Sequence, residues 1–203
     1  HALSALMDRT GVDPAAVEDV VFGCVDSIGP QAGDVARTCW LAAGLPDEVP
    51  GTTVDRQCGS SQQAVHFAAQ AVMSGTTDLI MTGGVQNMSM IPISSAMTLA
   101  TDLGFPDPFT TSPGWVARYG PDEVSQFTGA EMMAEKWGLT RTALDTFALE
   151  SHEKAAAAQD SGAFKDEIVG FTVKTRKGDT VVDADEYIRH GATMEAMTKL
   201  KPA

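Results

Sequence analysis

VDRQCGSSQQAVHF, residues 54–67, is the stretch from which the rest of the chain can be laid out. Thr52–Val54 read as the end of a buried strand, followed by a sharp polar turn that carries Cys58 and supplies Gly59, Ser60 and Ser61. In the segment that follows, Ala64, Val65, Ala68, Ala69, Val72 and Met73 fall largely on one helical face. The pattern predicts strand, turn and helix, with Cys58 at the helix N-terminus. Unpaired backbone N–H groups and the positive end of the helix dipole stabilise an anion at such a junction. Helix N-termini favour the thiolate, the nucleophilic form of a thiol. Cys58 is therefore the candidate nucleophile, and the alternative reading is a buried cysteine packed as a small hydrophobe.

Upstream, Ala2–Thr10 reads as a helix ended by Gly11, and Asp13-Pro14 starts a short helix. Val17–Gly23 follows as a β-rich run with Val20, Val21 and Phe22 buried, and Asp34–Ala43 is an amphipathic helix closed by Gly44, with Pro46 beyond. Downstream, Asp78–Thr82 supplies the next central strand before Gly83-Gly84. This alternation predicts an α/β fold with a parallel sheet covered by helices. Such sheets carry their chemistry at the strand carboxyl ends, so Cys58 and Gly83-Gly84 are expected at one cleft. The glycine pair also fits a tight turn with no catalytic meaning.

The pattern changes after Met90. Ile91–Gly120 has no clear period and reads as an irregular excursion from the core. Helices are expected at Glu123–Trp137 and Thr140–Ser161, the second capped by Thr140 and ending near Gly162. Glu167–Val182 alternates apolar and polar residues around Lys177-Gly178-Asp179, a hairpin pattern. Asp183–Glu186 is then an acidic turn before Arg189-His190.

With 203 residues, 43% of them hydrophobic, the chain has material for one core plus an insertion rather than two full domains. No apolar run approaches the ~18–20 residues of a membrane helix and no signal-peptide pattern opens the chain, so no membrane insertion is expected. Three cysteines without C-x-x-C spacing indicate neither a zinc site nor a disulfide framework, and a reducing cytoplasm fits. The net charge of −13 argues against a nucleic-acid surface, which requires clustered Lys and Arg.

Asp55-Arg56-Gln57-Cys58-Gly59-Ser60-Ser61 is similar to the N-Q-L-C-G-S-G run that carries the nucleophile of thiolases. Gly83-Gly84-Val85-Gln86-Asn87-Met88-Ser89 is similar to their G-G-x-E-x-M-S run. Asp183–Thr193, with Leu200-Lys201-Pro202-Ala203 after it, is similar to a segment near the end of the family's first half. Three separated motifs in order resemble the amino-terminal half of a thiolase over essentially the whole chain. The resemblance implies a layered α/β/α core with a mixed, mostly parallel sheet and an inserted loop domain. Residues 1–90 would form the amino-terminal core, without its first strand, and 91–203 the loop domain and connecting helices covering coenzyme and acyl chain. The carboxy-terminal domain would be absent, so the sequence reads as truncated at both ends.

The implied reaction is reversible thiolytic cleavage of a 3-ketoacyl-CoA to acetyl-CoA and a shortened acyl-CoA, or the reverse Claisen condensation, through acyl-Cys58. The backbone N–H of Cys58 would contribute to an oxyanion hole. Coenzyme A enters as substrate, no permanently bound cofactor or metal is implied, and a homodimer or homotetramer is expected. By resemblance Arg189 and Leu200 would meet the coenzyme, Arg189 as a planar cation for phosphate or adenine. A surface ion pair of Arg189 with Asp185 or Glu186 is the alternative. Ser125 and Gln126 stand near the acyl group where short-chain thiolases carry His-Met, a departure that favours a longer or unusual acyl chain.

The histidines offer no base for Cys58. His66 lies eight residues on, about two turns or ~12 Å along the helix, and reads as a core or interface residue. His152 sits on a charged, solvated face, and His190 travels with Arg189 toward the coenzyme. Thiolases take their base from a G-H-P run and a second cysteine from a C-x-G run, both in the carboxy-terminal half. The chain alone is accordingly expected to lack turnover. Two other readings stay open: a ketoacyl-synthase-like condensing enzyme, and a noncatalytic thiolase-like scaffold that binds acyl-CoA or lipid.

Overall fold

The computed structural model describes residues 1–201; Pro202 and Ala203, the end of the last thiolase-like segment, lie outside the described residues. The chain divides into two compact units, His1–Pro121 and Asp122–Ala203.

In the first unit, α1 (Ala2–Thr10) ends where Gly11 turns left-handed, at φ 66°, and returns its N–H to the Met7 carbonyl. Asp13 accepts the Ala15 N–H and starts the short turn Pro14–Ala16. There follow β1 (Asp19–Gly23), α2 (Val35–Ala42), β2 (Gly51–Val54), α3 (Ser60–Met73) and β3 (Ile80–Gly84). The strands form a parallel sheet in the order β2-β1-β3. The expected central position of the stretch after Asp78 is thus corrected, because β1 lies between the other two and β3 at the edge of the described sheet. The continuous apolar run Val20-Val21-Phe22 is what a strand covered on both faces requires.

Side chains alternate between the two faces of this sheet. Val20, Phe22 and Met81 meet Met7 of α1, Ala36 and Trp40 of α2, and Val17 and Val49 in one core. The opposite face receives α3, which buries Ser60, Gln63, Ala64 and Ala68. Val65, Val72 and Met73, expected on one apolar face with Ala64, are exposed. They lie about 80–180° around the helix axis from Ala64, and only the narrow alanine stripe comes close to the sheet.

Residues 91–120 are not irregular throughout. They hold α4 (Ser95–Asp102) and α5 (Pro113–Tyr119), each too short to display a helical period in the sequence. Ser112 caps α5 by accepting the Trp115 N–H, and Pro113 occupies the first turn. The Trp115 ring packs between Phe109 and Tyr119, with centroids 4.8 and 4.6 Å away.

The second unit contains α6 (Gln126–Trp137), α7 (Arg141–Asp160), β4 (Phe171–Thr175), β5 (Gly178–Val182) and α8 (Met194–Met197). Helix α6 starts later than expected because Ser125 caps it, and Thr140 caps α7 through the Ala143 N–H as predicted. Strands β4 and β5 form the expected antiparallel hairpin. Thr175 pairs with Gly178, so the turn is Arg176-Lys177, earlier than the glycine indicated. Among the described residues no helix is long and apolar enough to cross a membrane.

Trp40 is fully buried and its indole Nε1–H donates to the Pro46 carbonyl at 2.7 Å. Trp40→Ala is expected to destabilise the first unit by ~3–5 kcal/mol, checked by urea denaturation followed by circular dichroism.

Candidate active site

The site begins with a packing constraint at the carboxyl edge of the sheet. Val54, Gly23 and Gly84, the last residues of β2, β1 and β3, stand side by side in register. Helix α3 starts directly on this row. A Cβ on Gly23 would lie 2.3 Å from the Ser61 backbone nitrogen, and one on Gly84 would lie 1.9 Å from Ser61 Oγ. Gly83 and Gly84 belong to β3, and neither takes a positive φ. Close approach of the helix, not a tight turn, is what requires glycine at position 84.

The turn between β2 and α3 is pinned from both ends. The Asp55 carboxylate accepts the Gln57 N–H at 2.7 Å, and Gln57 takes a left-handed conformation at φ 49°. Ser60 Oγ accepts the Arg56 N–H at 2.9 Å and donates to the Gln57 carbonyl at 2.6 Å. Ser60 is buried while Cys58 is exposed, immediately before the N-cap Gly59. Gly59 has no side chain to cap the first turn, and the Gly59 and Ser60 N–H groups donate to the Arg56 and Gln57 carbonyls, both at 3.1 Å, at the positive end of the α3 dipole. Exposure removes the reading of Cys58 as a buried structural cysteine.

That description fits Cys24 instead. It is buried beside β1, burial pushes its thiol pKa up, and the carboxylates of Asp55 and Asp26 add to the rise against a hydrogen bond with Ser27.

The loops leaving β1 and β3 are tied together beside this edge. Val25 N–H donates to Gln86 Oε1 at 3.1 Å, and Asn87 N–H donates to Gln31 Oε1 at 2.8 Å. Gln31 Nε2 donates to the Asp26 carbonyl at 3.1 Å, and the buried Asp26 carboxylate accepts N–H groups from Ser94 and Ala96 at 2.9 and 2.8 Å. An apolar cavity of about 400 Å³ on the α1–α2 side, lined by Leu3, Leu6, Phe22, Cys39 and Met81, reaches Gly83, Gly84 and Val85 at this edge, and Cys58 is not part of its wall.

The other candidate residues belong to the second unit. The Ser125 hydroxyl is engaged as the α6 cap, accepting the Phe127 N–H at 3.2 Å, and Gln126 is the exposed first residue of that helix. Arg189 is exposed, and its backbone N–H donates to His152 Nδ1 at 3.2 Å. The alternative ion pair of Arg189 with Asp185 or Glu186 is not among the ion pairs of the described residues; the Asp185 carboxylate accepts the Tyr187 N–H. His190 Nε2 is 2.7 Å from Gln159 Oε1 and its Nδ1 3.9 Å from Asp160, which ties the ring to α7. Leu200 is exposed, and its carbonyl accepts from Arg141 Nη2 at 3.2 Å.

His66 is exposed, which removes the core reading but not the interface one, and His152 is half-buried and engaged by the Arg189 amide rather than simply solvated. Sequence reasoning missed Gly23, Ser60, Asp26 and Gln31. Their only local signals are a glycine ending a strand, a serine at a helix entry and polar residues in an otherwise apolar loop.

The family model described as thiolase, N-terminal domain, matches residues 1–203. The chain belongs to the thiolases. Among its relatives is a steroid 3-ketoacyl-CoA thiolase of Mycobacterium tuberculosis, 55% identical over 99% of this chain and 48% of the relative. An acetyl-CoA acetyltransferase of Paracoccus denitrificans is 39% identical over 99% of this chain and 51% of its own length. A beta-ketoadipyl-CoA thiolase of Pseudomonas knackmussii is 39% identical over 98% and 51% respectively. The chain spans about half the length of the curated relatives it matches.

Two outcomes follow from this thiolase edge. Gly84→Ala should cost ~1–3 kcal/mol, partly recovered by a second change, Ser61→Ala, whereas Gly23→Ala meets rigid backbone and should not be recovered; denaturation of the single and double variants reads both. Iodoacetamide at neutral pH should alkylate Cys58 at least about a hundredfold faster than Cys24, measured by peptide mass mapping.

Proposed function

We propose that this chain supplies the nucleophile of a thiolase, with Cys58 accepting the acyl group. The observation that carries the reading is an exposed cysteine at the mouth of α3, on a pinned turn at the carboxyl edge of a parallel sheet, within a thiolase N-terminal domain. In the cleavage direction the Cys58 thiolate adds to the C3 carbonyl carbon of a 3-ketoacyl-CoA. The C2–C3 bond then breaks, its electrons leave on the acetyl-CoA enolate, and protonation of that carbon releases acetyl-CoA. The thiol of a second coenzyme A displaces the acyl group from sulfur as acyl-CoA, giving up its proton and regenerating the thiolate. The condensation runs through the same steps reversed. Backbone N–H groups at the α3 entry, that of Cys58 included, would stabilise the oxyanion formed at each addition.

Coenzyme A is the common substrate in this reading, with Arg189 and Leu200 at its nucleotide end and Ser125 and Gln126 toward the acyl group. Residues 91–203 would act as the loop domain over both, and the assembled protein would be a cytoplasmic homodimer or homotetramer. We favour an acyl group larger than acetyl. Support comes from Ser125-Gln126 in place of His-Met and from the higher identity to the relative named as a steroid 3-ketoacyl-CoA thiolase than to the acetyltransferase.

In the full-length protein, brief incubation with acetoacetyl-CoA or a longer 3-ketoacyl-CoA should leave an acyl adduct visible by intact mass, heavier and more abundant with the longer substrate. Cys58→Ala should abolish the adduct and lower thiolysis by at least about a thousandfold. A wild-type protein that takes up no acyl group, or a Cys58→Ala variant acylated as well as wild type, would overturn the reading.

A further inference from the structure

Asp26 is a buried carboxylate that the acyl-transfer chemistry does not use. Its side chain reaches across 68 and 70 residues of sequence to accept the N–H groups of Ser94 and Ala96, at the start of α4. Ser94, the N-cap of α4, makes no side-chain cap of its own, so the distant carboxylate does that work, where the helix dipole favours a negative charge. Asp26 and Ser94 both hold left-handed backbone, at φ 54° and 68°. Non-glycine residues keep that conformation only where the surrounding contacts over-determine it.

Those contacts run along the whole connection. Gln86 Oε1 holds the Val25 N–H, Gln31 Oε1 holds the Asn87 N–H, and Ile91 Cδ1 comes within 3.8 Å of where a Gly29 Cβ would stand. The segment so held leaves β3 at Gly84, which touches Ser61 in the first turn of the helix that Cys58 precedes. Met88, Met90 and Ile93 stand exposed on it. Unbranched methionine side chains adapt to apolar partners of varied shape.

We propose that Asp26 is a positioning residue for substrate selection. By capping α4 from the β1 loop, and with Gln31 bracing Asn87, it fixes the path of residues 85–96, which leave Gly84 at its contact with the first turn of the helix that Cys58 precedes. It thereby sets how Met88, Met90 and Ile93 meet the acyl part of the substrate. The carboxylate touches no reacting atom; it acts through the segment it anchors. This inference rests on the acyl-transfer reading above.

The test uses the full-length protein with Asp26→Ala, and Asp26→Asn as the milder variant that keeps shape and one acceptor oxygen. Three readouts are taken: hydrogen exchange of the 94–101 amides, iodoacetamide alkylation of Cys58, and the ratio of long to short acyl adducts by intact mass. Asp26→Ala should speed exchange by about tenfold or more, the scale on which losing charge-assisted hydrogen bonds to backbone acts. The acyl ratio should shift at least about fivefold while Cys58 alkylation stays within about twofold, because the apolar wall moves and the thiol's own turn does not. Asp26→Asn should shift both readouts less, in the same direction, and decides the matter if Asp26→Ala does not fold. Faster exchange with an unchanged acyl ratio overturns the selection role and leaves a structural cap. Unchanged exchange overturns the clamp itself. Absence of adduct from wild type overturns the acyl-transfer reading and the selection role together, while exchange still reports on the cap.

Discussion

The carboxyl edge of the sheet can be packed in only one way. Helix α3 starts so close to β1 and β3 that no Cβ fits at Gly23 without meeting the Ser61 backbone, or at Gly84 without meeting Ser61 Oγ. The contact places the first turn of α3 on the strand ends, buries Ser60, and leaves Ser60 Oγ to close the preceding turn on Arg56 and Gln57. With the turn closed from below by Ser60 and from the side by Asp55, Cys58 is held outward at the start of a helix dipole. The thiol is accessible there on a turn fixed by its own hydrogen bonds.

The same economy recurs in the loops that border this edge. Asp26, Gln31 and Gln86 use side-chain oxygens to satisfy backbone N–H groups on the opposite loop, so two irregular segments become one connected rim. In the second unit α7 plays a comparable part for its own tail. Arg141 pairs with Asp145 and reaches the carbonyls of Met197 and Leu200, His152 receives the Arg189 amide, and Gln159 engages Asp185 and His190. Charged and polar side chains on one long helix thus order a tail that has little apolar burial of its own.

Regular elements with strong local signals are legible in the amino-acid order. Gly11 and Gly44 after the early helices, Thr140 before α7, and the alternation of residues 168–173 all point correctly to ends, caps and a hairpin. Where two local signals compete, the local pattern misleads. The hairpin turn falls at Arg176-Lys177 because cross-strand pairing of Thr175 with Gly178 overrides the glycine as a turn marker, and α4 and α5 leave no visible trace because seven or eight residues carry too little periodicity. The apolar residues of α3 point to one broad buried face. Backbone proximity at Gly23 and Gly84 admits only the alanine stripe, and Val65, Val72 and Met73 are turned away.

By itself the amino-acid order determined the α/β alternation, the strand–turn–helix unit around Cys58 and membership of the thiolases, because each is written in residues adjacent along the chain. Tertiary structure alone decided that β1 is the central strand, why Gly84 must be glycine, and which carboxylate caps α4. Each of these depends on groups brought together across 23 to 70 residues, such as Gly84 on Ser61 and Asp26 on Ala96, whose local sequence is the same whether or not the contact forms. Local pattern records the conformation a segment prefers; only the packed chain shows which distant backbone each side chain has to satisfy.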